Sequence, residues 1–333
     1  MLNRLTLASA LVALATLGAP GAGPGPARAQ AVDPALPNYT PHPGISGSLK
    51  SIGSDTLNNL MTLWAEGFRA SYPAVKIEIE GKGSSTAPPA LIAGTAQFGP
   101  MSRPIKGSES DDFEKKFGYK PFALRVAVDA LAVYVHKDNP ISCLTLAQVD
   151  AIFSKTRRGG QGRDIRGWGE LGLGAEWANK PISLYGRNSA SGTYGYFKEV
   201  ALFNGDYKDA VKEQPGSSTV VQGVASDKFG IGYSGIGYKT ADVRSVPIAA
   251  KAGETCFDAT ATHAYSGDYP IARFLYVYMN KNPNQPLDPL RAEFVRFVLS
   301  KQGQLGTVKD GYFPITSDIV VTDLKTLGLA PGM

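Results

Sequence analysis

The chain has 333 residues, with 34 lysines and arginines against 29 acidic residues, a formal charge of +5, two cysteines and three histidines. That length exceeds one compact core, so two domains are expected. The modest charge comes without a basic block or basic-aromatic interleaving, which excludes nucleic acid as an expected partner. The scattered His42, His136 and His263 form no metal-ligand pattern, so no metal is expected, and each reads as a surface or capping residue.

Residues 1–31 read as a secretory signal. Arg4 supplies a basic start, Leu5 to Leu17 is an apolar run of 13 residues, and Ala27-Arg28-Ala29 and Ala29-Gln30-Ala31 both suit cleavage. The run is short for a membrane span, and no Cys follows it, so a lipid anchor is not expected. Loss of Arg4 and Arg28 takes the formal charge from +5 to +3 (5 − 2). The mature protein is expected to be soluble and exported, with a periplasm as its destination. In that oxidising compartment Cys143 and Cys256 favour a disulfide; two separate buried thiols are the alternative.

Residues 32–47 are rich in Pro and Gly and read as a poorly ordered tail. From Ser48 onward strand and helix alternate. A strand at 49–52 precedes a helix at 55–71, whose Leu57, Leu60, Met61, Trp64 and Phe68 recur at helical spacing. A strand at 75–80, a helix at 87–95 with prolines in its first turn, and a short strand at 98–101 follow. This alternation argues an α/β fold with ligand loops at strand ends. Phe122 to His136 is a 15-residue apolar run, longer than a typical strand, and reads as a strand that leaves one domain and enters the next. Residues 270–279 read as the return crossing. Two crossings make a discontinuous first domain, 48–131 and 271–333, with a second domain, 132–270, inserted between them.

Within the inserted segment, 146–153 reads as a helix and 154–180, rich in Gly, Arg and Trp, as an exposed loop. Tyr194 to Phe203 carries apolar residues at helical spacing, and a further helix runs from Leu290 to Leu299 and onward. Gly230-Ile-Gly-Tyr-Ser-Gly235 has the glycine spacing of a dinucleotide fingerprint, but no helical period follows it, so it is read as a strand. Gly81-Lys82-Gly83-Ser84 lacks the upstream glycine of a phosphate-binding P-loop, and no nucleophile elbow or zinc-protease motif is present.

Three helix starts share one design. Arg187 precedes Ser191-Gly192-Thr193 by four residues; Ser54, Asp55 and Thr56 open the helix at 55–71; Ser84 to Thr86 open the helix at 87–95. A helix start presents free backbone N–H groups at the positive end of the dipole. Hydroxyls add donors, glycine permits close approach, and arginine adds a forked donor. Each start alone is accounted for by ordinary N-capping. Together they suit one tetrahedral oxyanion.

In these segments the chain resembles the periplasmic phosphate-binding proteins of the Pst-type ABC transporter. Gly53 to Leu57 match the family's first loop, Gly83-Ser84-Ser85 its second, Phe98 to Ile105 its third, and Arg187 with Ser191-Gly192-Thr193 its fourth, in order along the chain. The resemblance implies a two-domain clamp of the type II periplasmic binding protein fold with two crossover strands. It implies no enzyme activity and no cofactor. The expected function is capture of inorganic phosphate between the domains and delivery to a Pst-type membrane permease, by a monomer. Expected contacts are Thr56, the Leu57 N–H, Ser84 and Ser102 from one domain and Arg187, Ser191, Gly192 and Thr193 from the other. Ser54, Asp55, Ser85 and Arg103 are further candidates. Ser102 stands where many members carry an aspartate, in a Met-Ser-Arg-Pro-Ile variant of the loop, which leaves ligand selectivity open. The alternatives are another oxyanion, such as sulfate, molybdate or tungstate, or an exported phosphatase.

Overall fold

The structure, a computed structural model, describes residues 31–329. The predicted signal therefore lies outside the described residues, apart from Ala31. The α/β architecture has two main hydrophobic cores. The first core is built on the helix Asn58–Ser71, whose Leu60, Met61, Trp64 and Phe68 are buried. A four-residue period puts these side chains on one stripe, which packs against the Pro289–Leu299 helix through Phe68 and Phe294. This core is flanked by the parallel pair Ser48–Ile52 and Lys76–Glu80 and by an antiparallel sheet with Ala272–Met279 between Gly99–Met101 and Phe122–Ala130.

The second core surrounds a five-stranded sheet ordered Val243–Ser245, Ala132–His136, Gly230–Ser234, Ser183–Arg187, Lys212–Gln214. Gly230–Ser234 is a fully buried central strand, in keeping with the strand reading of its glycines. Gly232 lies where a Cβ would meet Val220 and Val224 at 2.9 Å, so the Ser217–Ser226 helix packs directly on the strand. Cys143 and Cys256 form a disulfide with a Cα–Cα distance of 6.1 Å, beside the short parallel pair Leu144–Thr145 and Ile248–Ala249.

Two chain segments join the cores. The apolar run 122–136 is interrupted at Leu131, whose N–H donates to Ile271 O at 3.1 Å. Its first part belongs to the first sheet and its second part, Ala132–His136, to the five-stranded sheet. Ala272–Met279 runs beside the first part and pairs Arg273 with Asp129. Among the described residues no helix is long and apolar enough to cross a membrane.

Three local expectations are corrected. The segment 32–47 is tied to the first core: Val32 and Leu36 are buried, Asp33 Oδ2 accepts from Ser317 N at 2.8 Å, and Tyr39 donates to the buried Glu293 at 2.6 Å. Its prolines and glycines set turns, but its few apolar side chains still find the core. The segment 154–180 is not a plain exposed loop. It carries short 3-10 helices at Trp168–Leu171 and Ala175–Trp177 that bury Ile165, Trp168 and Trp177. The helix after Arg187 is Gly192–Val200, shorter than the apolar spacing suggested, and Phe203 lies beyond it with φ 50°. His42 is a partner of buried Glu293, with Nδ1 2.9 Å from the carboxylate.

Candidate functional site

The loops singled out in the sequence meet between the two cores. Asp55–Leu57 is a 3-10 turn leading into Asn58–Ser71, and Ser84–Thr86 is a second such turn leading into Ala87–Ala93. Gly83, at φ +116°, occupies a conformation that side-chain-bearing residues rarely adopt, and a Cβ there would lie 2.5 Å from Ala190 O. The close approach lets Ser85 N donate to Ala190 O at 3.2 Å, a backbone bond from the first core's loop to the second's. Ser191 caps the Gly192–Val200 helix, its Oγ accepting from Thr193 N at 3.1 Å and Tyr194 N at 3.4 Å. A Cβ on Gly192 would sit 2.2 Å from Ser84 Oγ, so only glycine allows these two loops to touch as they do.

The hydroxyls form one buried cluster. Thr56 Oγ1 and Thr193 Oγ1 are 2.9 Å apart. Ser102 Oγ lies 3.0 Å from Ser54 Oγ, 3.3 Å from Ser84 Oγ and 3.3 Å from Thr193 Oγ1. Ser102 N donates to Ser84 Oγ at 3.0 Å. Thr56, Ser84, Ser102 and Thr193 are fully buried, and Ser54 and Ser191 nearly so. The Leu57 N–H is committed to Ser54 O at 3.3 Å.

Arg187 closes one side. It leaves the end of the Ser183–Arg187 strand and is almost fully buried. Its Nη1 donates to Ser217 Oγ at 2.6 Å and its Nη2 to Pro215 O at 3.0 Å, while Nε is buried without a hydrogen-bond partner. Asp55 Oδ2 lies 3.2 Å from Nη1 and accepts from Ser217 N at 2.8 Å. Asp55 therefore ties the first core's loop to a cation and a helix start of the second. Burial lowers the Arg187 pKa, and the Asp55 charge opposes that shift. Arg103 does not join the cluster. Its guanidinium forms a bidentate pair with Glu109 at 2.7 and 2.8 Å.

A second arginine closes the other side, and sequence reasoning missed it. Arg273 Nη2 donates to Thr193 Oγ1 at 2.9 Å and to Asp129 Oδ2 at 2.8 Å, and Nη1 donates to Ser102 O. The available signal was charge within apolar stretches: Arg273 is the one charge in the return crossing, and Asp129 lies near the end of the first, which also carries Arg125. Tyr238 and Tyr312 also went unnoticed. Their hydroxyls donate to Asp55 O at 2.9 Å and Thr56 O at 3.0 Å, fixing the first loop from behind. Their positions follow from tertiary packing alone.

The arrangement is a buried, donor-rich cluster contributed by both cores, of a chemistry suited to a small anion. A family model described as a PBP superfamily domain matches residues 38–302. The chain belongs to the PBP superfamily. It is 57% identical over 319 residues to the phosphate-binding protein PstS of Pseudomonas aeruginosa, covering 96% of this chain and 98% of that one. It is 29% identical over 266 residues to PstS of Staphylococcus haemolyticus, covering 78% of this chain and 79% of the other. Among solved structures, one from Clostridium perfringens with bound phosphate, assigned as a phosphate ABC transporter substrate-binding protein, superposes with a TM-score of 0.66 at 25% identity. It covers 81% of this chain and all of its own. An ABC-type phosphate transport receptor from Vibrio cholerae shares the fold with a TM-score of 0.62 at 20% identity, over 80% of this chain and all of its own.

Proposed function

We propose that this chain captures inorganic phosphate between its two lobes in an exported compartment, a periplasm, and delivers it to a membrane ABC permease. The observation that carries this reading is the convergence of Thr56, Ser84, Ser102, Ser191 and Thr193 from both lobes beside Arg187. Arg187 Nε supplies a buried donor with no protein partner. A dehydrated anion needs dense hydrogen bonding, and a misplaced donor leaves buried charge unsatisfied, so such a cluster is selective. The likeness to PstS proteins names phosphate as the anion. Capture, not catalysis, is the activity, and the working form is a monomer without a nucleic-acid partner.

Residues 48–131 with 271–333 and residues 132–270 are the two moving units, with hinges near 131–134 and 270–273. A smaller radius of gyration with phosphate in small-angle scattering is expected; identical curves would refute a hinge. Isothermal titration with phosphate, arsenate, sulfate and molybdate tests the ligand. Phosphate should bind at one site per chain and more tightly than molybdate. Tighter molybdate binding would overturn the assignment.

A further inference from the structure

Resting on the phosphate reading, we propose that Arg273 is a positioning residue that makes this cleft select the dianion of phosphate over the monoanion. A hydroxyl carries one proton and two lone pairs, so a fixed donor that takes a lone pair turns the proton elsewhere. Three hydroxyls at the meeting of the loops are in this state. Thr193 Oγ1 accepts from Arg273 Nη2 at 2.9 Å, Ser84 Oγ accepts from Ser102 N at 3.0 Å, and Ser191 Oγ accepts from Thr193 N at 3.1 Å. Each therefore gives its proton away from these N–H groups.

The two neighbouring carboxylates are already engaged, Asp129 through both oxygens and Asp55 through Oδ2. Asp129 is fully buried and accepts from Arg273 Nε at 3.1 Å, Arg273 Nη2 at 2.8 Å and Ile236 N at 2.9 Å. Asp55 is held by Arg187 and Ser217 N. A ligand thus meets mostly donors, with the Arg187 guanidinium at one side, while Asp129 and Asp55 Oδ2 are held by the two arginines. Hydrogen bonds donated to an acid's charged form favour that form. Ser102 Oγ already accepts from Ser54 Oγ and Thr193 Oγ1, so the single proton of the dianion is left to the Ser54 and Thr56 hydroxyls, and the second proton of the monoanion competes with fixed donors.

Arg273 is the part of this device that reaches both lobes. Its side chain is 2% exposed, and it holds Ser102 O of one loop and Thr193 Oγ1 of the other. Facing it are Asp129 on the paired strand and the Tyr196 ring with its centroid 5.2 Å from Cζ, with the Arg187 charge and the neutral Tyr312 phenol nearby. Burial pushes both tyrosines up, Tyr196 to about 12. Behind Tyr312, burial raises Asp310 to about 7, so the test must separate that group from the ligand.

The experiment is phosphate affinity by titration calorimetry from pH 5.5 to 8.5, with sulfate run in parallel, on wild type, Arg273→Lys, Arg273→Gln and Asp310→Asn. Sulfate does not titrate in this range and reports protein groups alone. With a ligand pKa of roughly 6–7, a cleft restricted to the dianion loses about tenfold in phosphate affinity between pH 8 and 5.5. Sulfate affinity should stay level in wild type, and Asp310→Asn should keep the phosphate slope. Arg273→Lys still only donates, and should keep the slope with weaker binding. Arg273→Gln offers an acceptor to Thr193, frees that hydroxyl to accept a ligand proton, and should flatten the slope to under about threefold. A flat wild-type profile would overturn the proposal, as would an equal sulfate slope or a Gln variant weakened equally at every pH. Should the Gln variant not fold, a flat wild-type profile or a slope lost in Arg273→Lys would still overturn the proposal. Absence of phosphate binding at every pH, with sulfate bound, would overturn the phosphate reading itself.

Discussion

Replacing Arg187 with alanine should weaken phosphate binding by about 10- to 150-fold. The guanidinium is almost fully buried and is held by Ser217 Oγ at 2.6 Å, Pro215 O at 3.0 Å and Asp55 at 3.2 Å. These contacts fix its plane, so Nε, which has no protein partner, needs no reorganisation when an anion arrives. A charge-assisted hydrogen bond is worth about 1.5–3 kcal/mol, and each 1.4 kcal/mol is tenfold in affinity, which gives the stated range. Folding should suffer less, because Asp55 keeps its bond from Ser217 N and some solvent contact. Arg187→Lys should also weaken binding, since a point charge replaces a planar fork and cannot serve Ser217 and Pro215 together. Titration calorimetry gives the affinities and thermal melting the stability. Affinity within twofold of wild type in Arg187→Ala, with the fold intact, would remove Arg187 from the site.

Asp55→Asn keeps the acceptor for Ser217 N but loses the charge opposite Arg187. Because the carboxylate is partly exposed, the affinity loss should be about fivefold, and the phosphate-to-sulfate ratio should hold; a changed ratio would make Asp55 a ligand acceptor. The Cys143–Cys256 bond closes a separation of 113 residues, so Cys143→Ser with Cys256→Ser should lose about 3–5 kcal/mol in urea unfolding. Two reactive thiols in denatured, unreduced wild type would contradict the bond. The Asp310 carboxyl, raised by burial to about 7, keeps its proton in the folded protein while the unfolded chain, titrating near 4, has lost it. Stability should therefore fall as pH rises from about 4 to 7, and Asp310→Asn should melt higher than wild type at pH 8 but not at pH 4. Equal differences at both values would refute that sign.

The strand–helix alternation was legible because the periods are local. Leu60, Met61, Trp64 and Phe68 mark their helix by spacing, and the loop hydroxyls sit at helix starts in sequence. The docking of residues 32–47 was not legible, since Tyr39 finds Tyr72, Glu293, Phe297 and Gln302, all distant along the chain. Two tryptophans in the Gly-rich segment 154–180 signalled burial that its glycines and arginines masked. Arg273 was hidden for a different reason. It belongs to no loop motif, and reaches the cluster only because the β-register sets it against Asp129. Close contacts such as Gly192 against Ser84 arise from the approach of two lobes and leave no local trace beyond the glycine.

The central claim is that one anion sits among the four loops between the lobes. Arsenate has the shape and charge of phosphate and scatters anomalously. Crystals of the full mature chain grown with arsenate should show one anomalous arsenic peak per chain, with its oxygens within hydrogen-bonding reach of Ser84, Thr193 and Arg187. A peak bound elsewhere on the chain, with those side chains still bonded only to one another, would contradict the account.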